Sequence, residues 1–88
     1  YDEGLTVAND VSYGLSAGVI TDSLSKAADF QQRSQAGMIS INRSTAGTDY
    51  HTPFGGTKAS SYGTREQGQH AQEFFTTVST VYSAGSNW

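Results

Sequence analysis

The sequence predicts an α/β fold: a strand–helix–strand unit, then a long loop, a short helix and a terminal strand. Two apolar runs separated by an amphipathic stretch carry the βαβ part. A polar, glycine-bearing segment over 42–63 carries the loop, and an aromatic and β-branched run over 74–82 carries the last strand.

Residues 2–10 read as the end of a helix. Asp2 and Glu3 suit the positive end of a helix dipole, and Leu5 with Ala8 gives a short apolar face. Asn9 and Asp10 weaken the helix, and Tyr13–Gly14 reads as a turn in which Gly14 takes the left-handed conformation.

Residues 16–21 read as a strand centred on the adjacent pair Val19 and Ile20. Two neighbouring aliphatics predict burial on both faces, as in a parallel sheet covered by helices. Asp22 or Ser23 is the expected cap of a helix running from Ser23 to Ala36, with Leu24, Ala27, Ala28 and Phe30 on its apolar side. Gly37 is the expected C-terminal stop, and Met38–Ile41 the next strand. Two parallel strands joined by a helix place functional loops at the carboxyl ends of the strands, which directs attention to the segment after Ile41.

A stretch as long as 42–63 without periodicity is functional or disordered. Within it, Pro53 fixes its own backbone angle, and Gly55–Gly56 permits a reversal beside Phe54. Residues 64–73 suit a helix capped by Thr64, with Glu66 as a reciprocal cap and Arg65–Glu66 as a structural ion pair. Phe74, Thr76, Val78, Thr80 and Tyr82 share one face of the terminal strand. No hairpin partner follows in the small-residue tail 83–88, so the strand must pair with a distant segment or with another chain.

Composition narrows the classes of function. The chain has 88 residues, 35% hydrophobic, with 10 glycines and no cysteine. Ordering a residue costs roughly 1.5 kcal/mol, which so lean a core offsets poorly, so marginal stability is expected unless other segments cover its faces. The absence of cysteine removes disulfides, thiolate metal ligands and a thiol nucleophile. The net charge of −3 and the scattered Lys26, Arg33, Arg43, Lys58 and Arg65 argue against nucleic-acid binding. No run is apolar enough for a membrane span, and a cytoplasmic location is expected. His51 and His70 supply too few ligands for zinc; a solvated helix face shared with Glu66 and Glu73 is the favoured reading for His70, and a catalytic-base role for His51 is disfavoured as well. Arg43 follows a strand end and would attract a substrate carboxylate, although a surface arginine is the more ordinary reading.

Four pieces in order carry a resemblance: ANDVSYGLSAGVIT (8–21), AGMISIN (36–42), PFGGTKASSYGTREQG (53–68) and FFTTVSTVY (74–82). Together they resemble the C-terminal end of the aldehyde dehydrogenases. Those enzymes typically read YGLSAG, a helix, AG with two apolar residues and Asn, then PFGG-x-K-x-S. The run Ser60, Ser61, Tyr62, Gly63, Thr64, Arg65, Glu66 is most similar to the α-ketoglutaric semialdehyde (2,5-dioxovalerate) branch.

The resemblance implies oxidation of an aldehyde or semialdehyde to a carboxylic acid with NAD or NADP. In that chemistry a cysteine thiolate attacks the aldehyde carbon and a glutamate-activated water releases the acid. Nucleophile, base and dinucleotide site all precede this region in family order. The chain is therefore expected to be a piece cut from a longer enzyme, binding no cofactor and inactive alone. By position, Phe54 matches the aromatic lining of the substrate tunnel, and 43–52 matches the segment closing its entrance, with Thr45, Gly47 and Thr48 as pocket neighbours. The resemblance divides the chain into the end of the catalytic domain (1–73) and an oligomerisation strand with tail (74–88). The implied partners are the remainder of the enzyme and a second subunit met through 74–82. The alternative is a stand-alone strand-exchange module without catalysis.

Overall fold

The computed structural model describes residues 1–85. Its elements in order are α1 (Asp2–Asn9), β1 (Tyr13–Gly14), β2 (Ser16–Val19), α2 (Leu24–Arg33), β3 (Met38–Ile41), β4 (Thr57–Lys58), a 3-10 turn (Gly68–His70) and α3 (Ala71–Phe75). The expected strand–helix–strand unit is present. β2 and β3 pair in parallel, Ser16 opposite Met38 through Val19 opposite Ile41, with α2 as the connection. β1 and β4 form a second, antiparallel pair with Tyr13 opposite Lys58.

Ser23 settles the helix start. Its side chain accepts a hydrogen bond from the Lys26 amide at 3.2 Å, satisfying one of the free amides of the first turn. The end comes earlier than Ala36. Asn9 donates from Nδ2 to the Arg33 carbonyl at 2.9 Å, and its Oδ1 accepts from the Gln35 amide at 2.9 Å. A side chain from the end of α1 thus takes the two backbone groups that one more turn of α2 would have used. Ser34 leaves the helix with extended angles.

Glycine has a different task here from the one expected. Gly14, Gly37, Gly55 and Gly56 are not among the residues with positive φ. They form a seam where backbones meet directly. A Cβ on Gly37 would overlap the Gly55 carbonyl, and one on Gly56 would lie 2.7 Å from the Gly14 carbonyl. The Gly37 amide donates to the Gly14 carbonyl at 3.0 Å. Gly14 is therefore a buried strand residue rather than a turn, and Gly37 joins sheet to loop rather than capping a helix.

Three further expectations are corrected. Ile20 is 80% exposed and Val19 half-buried, so the first strand is not covered on both faces within this chain. No helix begins at Thr64. Glu66 instead forms an antiparallel bridge with Phe54, and positive φ at Gln67 and Gly68 turns the chain before the 3-10 turn. Phe74 and Phe75 belong to α3 rather than to the expected strand. The Thr76 hydroxyl bonds back to the Gln72 carbonyl, and extension starts only at Thr76, with φ −129° and ψ 161°. Residues 76–85 join no strand among the described residues. The last residues of the expected tail, 86–88, lie outside the described residues.

Leu5 and Phe30, each 4% exposed, are the buried hydrophobic core. The surface of 7029 Å² exceeds the roughly 5,000 Å² of a self-contained monomer of this 9.4 kDa mass. Ile20, Leu24, Val78 and Tyr82 are all at least 80% exposed. The local elements form, but most of their apolar faces are not covered by this chain.

Candidate functional site

The parallel pair β2–β3 forms one side of a cavity of about 460 Å³, with Leu15, Ser16 and Met38–Ser40 in its lining. The loop leaving β3 supplies the rest. Arg43–Thr45, Gly47–Asp49, Thr52 and Phe54 all face it. Phe54, Thr45, Gly47 and Thr48, picked out from the sequence, thus come together around one space.

Each part of this wall is held by identifiable forces. Asn42 starts the loop at a positive φ of 56°, a conformation asparagine tolerates better than most residues. Its Oδ1 accepts from the Thr21 amide at 2.8 Å, and its own amide donates to the Val19 carbonyl at 2.8 Å. Gly47 turns the loop at φ 78°, with open space where a Cβ would stand. Asp49 closes it. Its Oδ1 accepts from the His51 amide at 2.8 Å and faces His51 Nδ1 at 3.0 Å, and its carbonyl accepts from the Thr52 hydroxyl at 2.8 Å.

Phe54 is half-buried, and its backbone exchanges hydrogen bonds with Glu66 in both directions, at 2.7 and 2.8 Å. Arg65, expected to pair with Glu66, donates instead to the Gly56 carbonyl at 2.8 Å, and its stem packs over Gly55. The Lys58 ammonium donates to the carbonyls of Asn9 and Val11, at 2.7 and 3.0 Å. Lys58 therefore ties the phenylalanine-bearing segment to the end of α1 and the residues after it, while Arg65 braces that segment internally. The sequence offered no sign of this, because all three partners are backbone carbonyls.

Elsewhere, the Tyr1 hydroxyl donates to the Asp29 carboxylate, and that bond raises the phenol above its usual 10.0, reinforced by desolvation. Tyr1 lines a different hollow, between α1, β2 and α2. Among the described residues no group of three or more His, Cys, Asp or Glu could hold a metal ion. No helix among them is long and apolar enough to cross a membrane.

The cavity can shape and desolvate a small ligand, with Leu15, Met38, Ile39 and Phe54 as apolar wall and hydroxyls and Arg43 as polar wall. It holds no thiol. A dinucleotide does not fit the residues present. The turn from β2 into α2, Ile20 to Ser23, has no glycine to let a pyrophosphate approach the backbone, and it carries the carboxylate of Asp22.

Known proteins share this chain's pattern. It is 48% identical to an α-ketoglutarate semialdehyde dehydrogenase of Haloferax volcanii over 96% of its length, and 43% identical to an α-ketoglutaric semialdehyde dehydrogenase of Bacillus subtilis over 92%. It spans 18% and 17% of those relatives. Two solved structures superpose with TM-scores of 0.74, each over 80% of this chain. One is the glyceraldehyde-3-phosphate dehydrogenase GapN of Methanocaldococcus jannaschii complexed with NADP, 33% identical and covered over 15% of its chain. The other is aldehyde dehydrogenase 21 of Physcomitrella patens in complex with the reaction product succinate, 31% identical and covered over 14%. The family model described as the aldehyde dehydrogenase family matches residues 1–81, and the chain belongs to that family.

Proposed function

We propose that this chain is the C-terminal part of the catalytic domain of an NAD(P)-dependent aldehyde dehydrogenase that oxidises a semialdehyde to a carboxylic acid. Its own contribution is the wall and entrance of the substrate cavity. The observation that carries this reading is the convergence of Phe54, Thr45, Gly47 and Thr48 on one cavity along the β2–β3 pair. The names of the Haloferax and Bacillus relatives support a semialdehyde as substrate. The NADP held by the Methanocaldococcus relative supports a nicotinamide cofactor in the whole enzyme.

In that enzyme, Phe54 gives one aromatic wall that excludes water from the aldehyde, and the loop 43–52 shapes the mouth. Thiol nucleophile and cofactor cradle come from other parts of the protein, as neither is offered by these residues. The uncovered faces of the fold, with Ile20 and Leu24 at 80% and 89% exposure, support burial against those parts. The exposed chain 76–85, with Val78 96% and Val81 82% exposed, supports strand addition to a neighbouring subunit.

The test is turnover by the full-length enzyme. Reduction of NAD or NADP is expected with α-ketoglutaric semialdehyde. An enzyme that binds the cofactor yet turns over no aldehyde overturns the reading.

A further inference from the structure

Five basic side chains occur in this sequence, and four are engaged. Arg33 pairs with Asp29 at 3.1 Å and Asp2 at 3.8 Å. Lys58 donates to the Asn9 and Val11 carbonyls, and Arg65 to the Gly56 carbonyl. The Lys26 ammonium stands 5.9 Å from the centre of the Tyr1 ring, within reach of a cation–π attraction. Arg43 has no acceptor among the described residues, and of the five it alone lines the cavity.

Its place is well determined at the root. The preceding Asn42 is fixed by its amide bond to Val19 and by the Thr21 amide bonding to its side chain, both at 2.8 Å. Among the described residues no ion pair cancels its charge inside the cavity. Asp49 is the acidic residue of the lining, and its Oδ1 is occupied by the His51 amide and ring. The lining also includes the apolar side chains of Leu15, Met38 and Phe54. A space with an aromatic wall and one unpaired guanidinium suits a ligand with a short carbon chain and an anionic end. A guanidinium offers a planar fork of N–H donors that matches a carboxylate edge to edge.

We infer that Arg43 is the specificity-determining residue that draws the distal carboxylate of an acidic aldehyde into the cavity. This rests on the aldehyde dehydrogenase reading above and adds to it the residue that selects the substrate. Arg43 performs no chemistry. Its attraction acts on bound substrate and on transition state alike, so it enters KM rather than kcat.

The test compares succinic semialdehyde with butanal, equal in carbon number and differing in the carboxylate, on the full-length enzyme. Arg43→Met is expected to lower the ratio of kcat/KM for succinic semialdehyde over butanal by about tenfold to a hundredfold, the range of a charge-assisted hydrogen bond to a carboxylate. The loss should lie in KM. Arg43→Lys should recover part of it, and added salt should shrink the difference between wild type and Arg43→Met. Arg43 is exposed, so neither variant threatens folding. An unchanged ratio, or a loss shared equally by both aldehydes, overturns the inference. Titration of glutarate into each protein by calorimetry gives a readout free of turnover, and Arg43→Met should weaken it by a similar factor. A wild type that oxidises no aldehyde but binds glutarate through Arg43 would sink the dehydrogenase reading and uphold the anion site. One that oxidises aldehydes but binds glutarate equally with and without Arg43 would do the reverse.

Discussion

Phe54 and Glu66 exchange both of their backbone hydrogen bonds, at 2.7 and 2.8 Å, across a loop whose side chains include Tyr62, 99% exposed. This bridge anchors the backbone that carries the aromatic wall of the cavity, and the adjacent Arg65 bonds to the Gly56 carbonyl. Phe54 is thus positioned by main-chain bonds on one flank and by the glycine seam on the other. The ring can serve as a wall because its backbone has little freedom to move.

Removing that wall should cost binding of the aldehyde. Phe54→Ala in the full-length enzyme is expected to lower kcat/KM by roughly thirtyfold, about 2 kcal/mol of lost apolar contact. Phe54→Leu should keep most of the activity. Steady-state kinetics with one aldehyde checks both. An Ala variant with wild-type kinetics would show that Phe54 is only packing.

The glycine seam admits no side chain at its tightest point. Gly37→Ala would place a Cβ on the Gly55 carbonyl and should destabilise by about 1–3 kcal/mol. Gly4, inside α1, has nothing within 4 Å of an added Cβ. Gly4→Ala should therefore be neutral, or stabilise by up to about 1 kcal/mol through helix propensity. The urea unfolding midpoint should fall for Gly37→Ala and stay or rise for Gly4→Ala.

Asn9 joins α1 to the end of α2 through two side-chain bonds of 2.9 Å. Asn9→Ala leaves the Arg33 carbonyl and the Gln35 amide without it, and should cost about 2 kcal/mol. Asn9→Asp keeps the acceptor but loses the donor and sets a negative charge against the carboxyl end of α2, so it should not restore stability. Hydrogen exchange at the Gln35 amide is expected to speed up more in Asn9→Ala than in Asn9→Asp.

Asn42 combines a left-handed backbone with a side-chain bond to the Thr21 amide. Asn42→Gly relieves the backbone and loses the bond, at about 1 kcal/mol. Asn42→Ala loses the bond and keeps the strain, at about 2 kcal/mol. Thermal unfolding should rank wild type above Gly and Gly above Ala. The reverse order for the two variants would mean that the strain at this position is negligible.

Strand addition through the exposed terminal segment has a direct readout. Thr80→Pro removes one backbone donor and should weaken subunit association of the full-length enzyme, shifting it toward smaller species in sedimentation velocity. Thr80→Val keeps the donor and the β-preference, and should leave assembly intact. An unchanged profile for Thr80→Pro would argue that 76–85 serves some other purpose.

The βαβ unit was legible because its signals are local. Val19 and Met38–Ile41 are apolar strand runs, and Ser23 caps the helix between them through its own side chain. The cavity residues were legible through the resemblance, which supplied Phe54 and the 43–52 loop by position. Other features were not. The length of α2 depends on Asn9, 24 residues before the carbonyl it caps. The roles of Gly37 and Gly56 depend on which backbones meet.

What the sequence determined by itself, then, was the succession α1, β2, α2, β3, the start of α2 and the family. Capping, apolar periodicity and motif order act within a few residues of chain, so they can be read along it. Tertiary structure decided where α2 stops, why Gly14, Gly37 and Gly56 stand where a Cβ would meet backbone, that Glu66 belongs to a bridge instead of a helix, and that Arg43 is left without an acceptor among the described residues beside the cavity. Each of these depends on atoms distant in sequence meeting in space, and so became visible only once the chain was folded.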